Sequence, residues 1–513
     1  MRGRNKAGHM KRRRREAQRK VRRRQEAEGM STASHPTRPN RTSVYETVEE
    51  EEQGRIEAVV EHARVLREQL PRLLAELSQI RDPRNPLMLK HKLTTLMVYG
   101  ILMFVLHSGS RRTTNEKLSA PAMRDTLMQL FPDLESIPHH DTLCRLLAAI
   151  EPEGIEAAQV GLVRSLIRDK KFSDHLVEHC YTIAFDGTQK MVRRLLPDDP
   201  WLQRKVGGEG KKREQYYLYV LEANLVLSNG VSIPLMSEFL DYHKGDNDRQ
   251  KQDSEQRGFF RLSQRLKEAF PHLPIMVLLD GLFAQGPVMS RLREYNWHYM
   301  IVLQDGSLPH VWQEYQGLRR LLTEQDRLSQ LWGDRHQHFE MLNDIEYRYG
   351  ENGRKVERIH LVVCEETWEE VDREGNVVQR HSKWAWISDL PFSRETVHVR
   401  CNLAGRRRWC IEEDILVEKR QGYNYEHCYA ENWNAMRGYH YLMRIGHLLN
   451  VLASFCSRLI RAFKDRGPQG FIAWLSNTLS GRWLHVAELQ PRLTASFQLR
   501  LVLPVPQLPV LIR

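Results

Sequence analysis

Long apolar runs are scarce in this chain. The most lipid-like stretch, Leu93–Leu106 (LTTLMVYGILMFVL), is shorter than the ~20 residues a spanning helix needs, and Lys90, Lys92, Arg111 and Arg112 flank it. It reads as a buried core helix. The N-terminus is basic with no apolar segment behind it, which argues against a secretory signal. Paired cysteine is missing as well. Cys144, Cys180, Cys364, Cys401, Cys410, Cys428 and Cys456 are scattered, odd in number, and form no CxxC pair. That argues for a reducing compartment and against a disulfide framework or a zinc ribbon. His427 next to Cys428, with His440 and His447 downstream, could be forced into a metal site, but they read more readily as isolated core or surface residues. There is no internal repeat, and no helix-turn-helix signature stands out.

Charge of one sign is in excess. A net charge of +12, a pI of about 9.3 and a mean hydropathy of −0.56 describe a soluble protein with a polyanionic partner. Nucleic acid is the first candidate and an acidic membrane surface the second. The 513 residues suffice for two to four domains. Residues 1–53 read as a disordered basic arm, with thirteen Lys or Arg in the first 25 positions, followed by a polar and acidic linker. Such an arm is either a solvated tail or a phosphate-binding segment.

Residues 54–175 carry helical periodicity, with Pro71 expected to kink or split the first helix. This segment is the expected DNA-binding domain. At Tyr181 the pattern changes to short apolar runs alternating with amphipathic segments, an α/β signature. Residues 176–306 form the first part of that core. Residues 307–405 look like a β-rich insertion, 406–465 resume the core, and 466–513 are a C-terminal helix and tail.

Three carboxylates stand out. Asp186 and Asp280 each end an apolar run (IAFDGTQ, VLLDGLFA), at the sheet edge where α/β folds bind ligands. Turn chemistry alone would also explain Asp-Gly. Asp305-Gly306 is similar, but Gln304 intervenes and Ser307 reads as the N-cap of the next helix. The third carboxylate is Glu412, in RRRWCIEEDILVEKRQG at 406–422. At 100° per residue Arg408, Glu412 and Lys419 fall within roughly 40° of each other, flanked by Ile411, Ile415 and Leu416. Converging carboxylates repel unless cations neutralise them, and Mg²⁺ suits oxygen ligands.

In these segments the chain resembles the bacterial insertion-sequence transposases with a DDE triad in an RNase H-like fold. More narrowly, it resembles the subgroup with a β-strand insertion before the catalytic Glu and a Tyr-x2-Arg-x3-Glu-x6-Lys signature. Arg408, Glu412 and Lys419 fit its last three positions, and Gly405 stands where the family has Tyr. The resemblance implies an RNase H-like mixed-sheet catalytic core with a β-rich insertion, preceded by an α-helical domain. It implies that Asp186, Asp280 and Glu412 are catalytic and hold two Mg²⁺ ions (Mn²⁺ substituting), while Arg408 and Lys419 contact DNA. By the same resemblance the chain would act as a homodimer on terminal inverted repeats and target DNA, in a bacterial cytoplasm near the nucleoid. It would cut the element's ends and join 3′ hydroxyls to the target. A hairpin intermediate would place a flipped base on an aromatic side chain, with Trp368, Trp384 and Trp386 as candidates beside their ordinary use in a sheet core. The rival readings are an RNase H-like nuclease without strand transfer, and a domesticated or inactive DNA-binding protein.

Overall fold

The computed structural model describes residues 2–30, 43–194, 201–206, 213–240 and 255–481. The polar stretch 31–42, Lys211, Lys212, residues 250–254 and the apolar tail 501–513 lie outside the described residues.

Helix α1 (Arg2–Ala27) is the basic segment expected as a disordered arm. It is ordered by contact with the distant insertion: Arg13 donates to Asn376 at 3.0 Å, Arg24 pairs with Glu369 at 2.9 Å, and Val21 is buried. Helix α2 (Val48–Leu77) begins inside the expected linker. Thr47 and Glu50 form a reciprocal capping box there, and Glu49–Glu51 favour the positive end of the helix dipole. The helix continues through Pro71.

Four short helices, α4 (Arg111–Ser119), α5 (Pro121–Leu130), α6 (His140–Ala149) and α7 (Glu153–Arg168), follow α3 (Leu93–Val105). Every residue of α3 except Thr94 is buried. It packs within the protein against a later helix, so the apolar run is a core helix as its length required. No helix among the described residues is long and apolar enough to cross a membrane.

Strands β1 (Tyr181–Arg193), β2 (Leu202–Val206), β3 (Arg213–Val226) and β4 (Ser232–Leu240) are joined by antiparallel pairing to β3. Helix α8 (Glu255–Ala269) returns the chain to β5 (Ile275–Leu279), and α9 (Gly286–Glu294) leads to β6 (His298–Val302). β1, β5 and β6 are parallel neighbours. After α10 (Pro309–Leu318) come β7 (Arg327–Trp332), β8 (Arg335–Tyr349), β9 (Lys355–Val371) and β10 (Val377–Ser388), the β-rich insertion. They extend the same sheet, because β10 pairs antiparallel with β6. The last helices are α11 (Trp409–Arg420), α12 (Trp433–Ser454), α13 (Ile460–Arg466) and α14 (Pro468–Leu479). The result is the expected α/β mixed-sheet core, with helices before it and an antiparallel extension.

The sheet is covered on both sides, which explains why β5 is a continuous apolar run with every residue fully buried. Ala184, Met276 and Leu278 face the side packed by α11, whereas Ile183, Phe185, Val277 and Leu279 belong to the core packed by α8 and the helical domain. Each such large side chain contributes about 1.5–3 kcal/mol on burial.

A buried ionic web ties α11 to the sheet and to α12. Arg444 donates to Glu418 at 3.0 Å and lies 3.3 Å from Glu222. His447 contacts Glu418 at 2.7 Å and Asp414 at 3.3 Å, and Asn224 donates to Asp414 at 2.8 Å. Tyr425 and Ser237 donate to Glu222 at 2.7 and 2.6 Å. Burial alone would raise the Glu222 carboxyl, but Arg444 and His440 outweigh it and hold it well below the usual range. Replacing Arg444 by Met leaves two buried carboxylates without their cation. The expected cost is about 3–5 kcal/mol of folding stability, read as a lowered urea midpoint.

Candidate metal and nucleic-acid site

Asp186 lies on β1 just past the stretch paired with β5, so its carboxyl rises above the parallel part of the sheet. On the other side it sits in register with Glu222 of β3. Asp280 directly follows β5. Its carboxylate accepts from the Leu282 backbone N–H at 2.9 Å and caps a short 3-10 turn, Gly281–Phe283. The turn role weighed for Asp-Gly is therefore real at Asp280, and the turn bond uses Oδ1. Asp305 stands apart: it is exposed and paired with Lys383 at 3.0 Å.

Glu412 lies in the first turn of α11. A π-helical stretch (Val399–Ala404) and a 3-10 turn (Gly405–Arg408) precede that helix, so Arg408 is not part of the α-helix itself. It meets Glu412 all the same, donating from Nη2 at 2.7 Å, and its Nη1 lies 3.8 Å from Asp186. Arg408 is buried and bridges two of the three carboxylates. Among the described residues its Nε and Nη1 have no hydrogen-bond partner. Lys419 lies elsewhere: it donates to the Gln189 carbonyl at 3.1 Å and pairs with Glu426 at 2.9 Å, clamping α11 to β1. The apolar stripe also differs from expectation. Ile411 and Ile415 are buried, but Leu416 is exposed, while Asp414 and Glu418 take buried positions in the ionic web.

Burial, then the charges of Glu412 and Asp280, pushes the Asp186 carboxyl up to about 7, with Arg408 opposing. One guanidinium is too little positive charge for this edge. Carboxylate oxygens suit a hard divalent cation, but among the described residues the groups whose ligand atoms all lie within 4.8 Å of one another are His139, His140 and Asp141, and Asp414, Glu418 and His447, so Asp186, Asp280 and Glu412 are neighbours without forming so tight a cluster.

Sequence reasoning missed two further features. Glu255, at the start of α8, raises both the Asp186 and the Asp280 surroundings in negative charge. No motif around it marks it in the sequence. The second concerns Gly405. A Cβ there would lie 2.7 Å from the Trp386 indole nitrogen, so this packing has no room for the family's tyrosine. Trp386 is fully buried and stacks on half-buried Trp384 at 5.9 Å, with the Arg406 guanidinium over both rings. Trp368 is covered by Arg335 at 4.1 Å. His440 and His447 belong to the buried ionic web, and Cys428 is exposed.

Comparison with known proteins adds the following. Residues 74–162, within the helical segment from α2 to α7, match a family model described as DDE_Tnp_1-associated. By its description, the match associates this part of the chain with DDE-type transposases. No curated protein matches the chain. Among solved structures, a piggyBac transposase synaptic complex with hairpin DNA is similar at 11% identity and a TM-score of 0.34. That likeness covers 86% of this chain and 82% of the other, and it is too loose to carry an argument.

The crowding at Asp186 has a measurable consequence. Its folded pKa of about 7 lies above the ordinary 3.8. The unfolded chain therefore holds fewer protons between those values, and the destabilisation grows as pH rises from about 4 to about 7. With divalent ions chelated, Asp186→Asn should raise the melting temperature at pH 8 and change it little at pH 4.

Proposed function

We propose that this chain is a DNA transposase that cleaves the ends of an insertion element and joins the 3′-OH ends to target DNA. The observation that carries the reading is the convergence of Asp186, Asp280 and Glu412 at one sheet edge, from three separated segments, with Arg408 spanning two of them. The match of residues 74–162 to a DDE_Tnp_1-associated model supports it independently. Two divalent ions, Mg²⁺ or Mn²⁺, would supply activation of the attacking oxygen and stabilisation of the leaving oxygen in phosphoryl transfer.

The chain's own residues do the rest. Asp186 and Asp280 supply carboxylate oxygens from the rigid sheet, and Glu412 supplies a third from a helix anchored by the buried ionic web. Arg408 screens the repulsion between Asp186 and Glu412, and its unpartnered N–H groups suit charge developing on a phosphate. Lys419 fixes the distance between α11 and β1. The basic excess of +12 favours the DNA backbone, with terminal inverted repeats and target DNA as the partners and a homodimer as the working unit.

The test is cleavage of supercoiled and repeat-bearing linear DNA with Mg²⁺ or Mn²⁺, wild type beside Glu412→Gln. End cutting and strand joining should fall roughly 10⁴-fold, while DNA binding in a mobility-shift assay persists. Equal cutting by both proteins would remove Glu412 from the site. Binding without cutting by either, on the correct flanking repeats, would favour a domesticated DNA-binding protein.

A further inference from the structure

β1 does not stop at Asp186. It runs on to Arg193 and pairs there with β3, which pairs in turn with β2. These three strands form a ribbon that projects past the aspartate-bearing edge. One face of the ribbon is closed. Tyr216 and Leu218 are buried, Lys190 donates to the Tyr425 carbonyl at 2.8 Å, and Arg193 pairs with Glu431 at 3.2 Å. The other face carries Gln189 of β1, Gln215, Tyr217 and Tyr219 of β3, and Arg204 of β2. Register sets them together, with Gln189 opposite Tyr219 and Arg204 opposite Gln215.

On that face Arg204 is stretched across the ribbon. Its side chain starts on the edge strand β2 and crosses β3 to reach β1. Nε donates to Gln215 Oε1 at 2.8 Å, and Nη2 to Gln189 Oε1 at 2.7 Å. Between these two bonds the guanidinium lies over the Tyr217 ring, 4.7 Å from its centroid. Tyr219 in turn meets the Tyr217 ring edge-on at 6.5 Å. An exposed arginine ordinarily keeps its rotamer freedom or loses it to a carboxylate. Here both hydrogen-bond partners are neutral amides, and among the described residues Arg204 has no carboxylate partner. It nevertheless remains exposed, as does Arg213 on the same face. The ribbon thus presents a fixed planar cation, backed by an aromatic ring on one side and turned to solvent on the other.

We propose that Arg204, seated on Tyr217, is a stacking platform for an unpaired nucleotide of the DNA strand flanking the reacting phosphate. Tyr217, Gln189 and Gln215 are its positioning residues. A planar guanidinium accepts the face of any base, and a base offers that face only when it is not stacked in a duplex. Gln189 stands roughly 10 Å beyond Asp186 along β1, a distance that neighbouring nucleotides of one strand span. The platform lies on the face opposite the Asp186 carboxyl, so it takes a flanking nucleotide and not the reacting one. The proposal rests on the DNA-cutting reading given under Proposed function.

The experiment measures binding of the full chain to two fluorescent probes by anisotropy, in chelator so that nothing is cut. The probes are a short single-stranded oligothymidylate and a blunt duplex of the same length. Arg204→Lys keeps the charge and removes the planar group. Its affinity for the single strand should fall about 5–100-fold, the range one stacked base commands. Its duplex affinity and melting temperature should change little. Tyr217→Leu should lose nearly as much single-strand affinity, whereas Tyr217→Phe, which keeps the ring beneath the guanidinium, should retain most of it. Single-strand affinity of Arg204→Lys equal to wild type would overturn the platform. An equal loss on both probes would overturn it as well, because the arginine would then serve phosphates and not bases. Either result leaves the transposase reading standing if Glu412→Gln still abolishes end cutting. A single-strand loss in Arg204→Lys, with Glu412→Gln cutting like wild type, would keep the platform and remove Glu412 from the site. If Tyr217→Leu does not fold, the exposed Arg204→Lys decides alone.

Discussion

Arg444 is the cation on which the position of α11 depends. It sits fully buried between Glu222 of β3 and Glu418 of α11, with Asn224 and His447 completing the web. An isolated buried charge would be untenable, so each member is acceptable only because the others are present. A web of this kind specifies geometry better than apolar packing, since sliding α11 by one turn would strand several charges at once. Glu412 lies less than two turns from Glu418 on the same helix, and its placement follows from that anchoring.

The same sheet is thus treated in opposite ways at neighbouring points. At Glu222 the carboxylate is matched by Arg444, hydroxyls and a histidine, and stays ionised in the interior. At Asp186, in direct register with it, burial and three further carboxylates prevail over one arginine, and the carboxyl is pushed up. The first arrangement is largely self-neutralising, with Arg444 Nε and Glu418 Oε2 left without a hydrogen-bond partner among the described residues. The second is electrostatically frustrated.

The insertion is built into the sheet instead of hanging from it. β10 pairs with β6 directly beside β5, so the antiparallel extension and the aspartate-bearing strands share one hydrogen-bonded frame. Helix α1 then docks on the far hairpin through Arg13 and Arg24, bringing the most basic part of the chain onto the insertion. Trp386 closes the joint at its inner end by filling the space beside Gly405.

Sequence by itself determined the order of elements. Alternation and apolar runs report burial of one or both faces of a strand, but they did not show that β1 runs on past Asp186 to Arg193. Helical spacing brought Arg408 to Glu412, even though a 3-10 turn intervenes. Tertiary structure alone decided what lies far apart in sequence. Asp414 and Glu418 are acceptable in the interior because Arg444 and His447, on another helix, neutralise them. Helix α1 read as too polar to order because its partner is a hairpin more than three hundred residues away. Glu255 carried no local signal at all, since only the packing of α8 brings its charge near Asp186 and Asp280. Local patterns encode which face of an element is buried; the identity of the charges that meet across elements is a property of the packed chain.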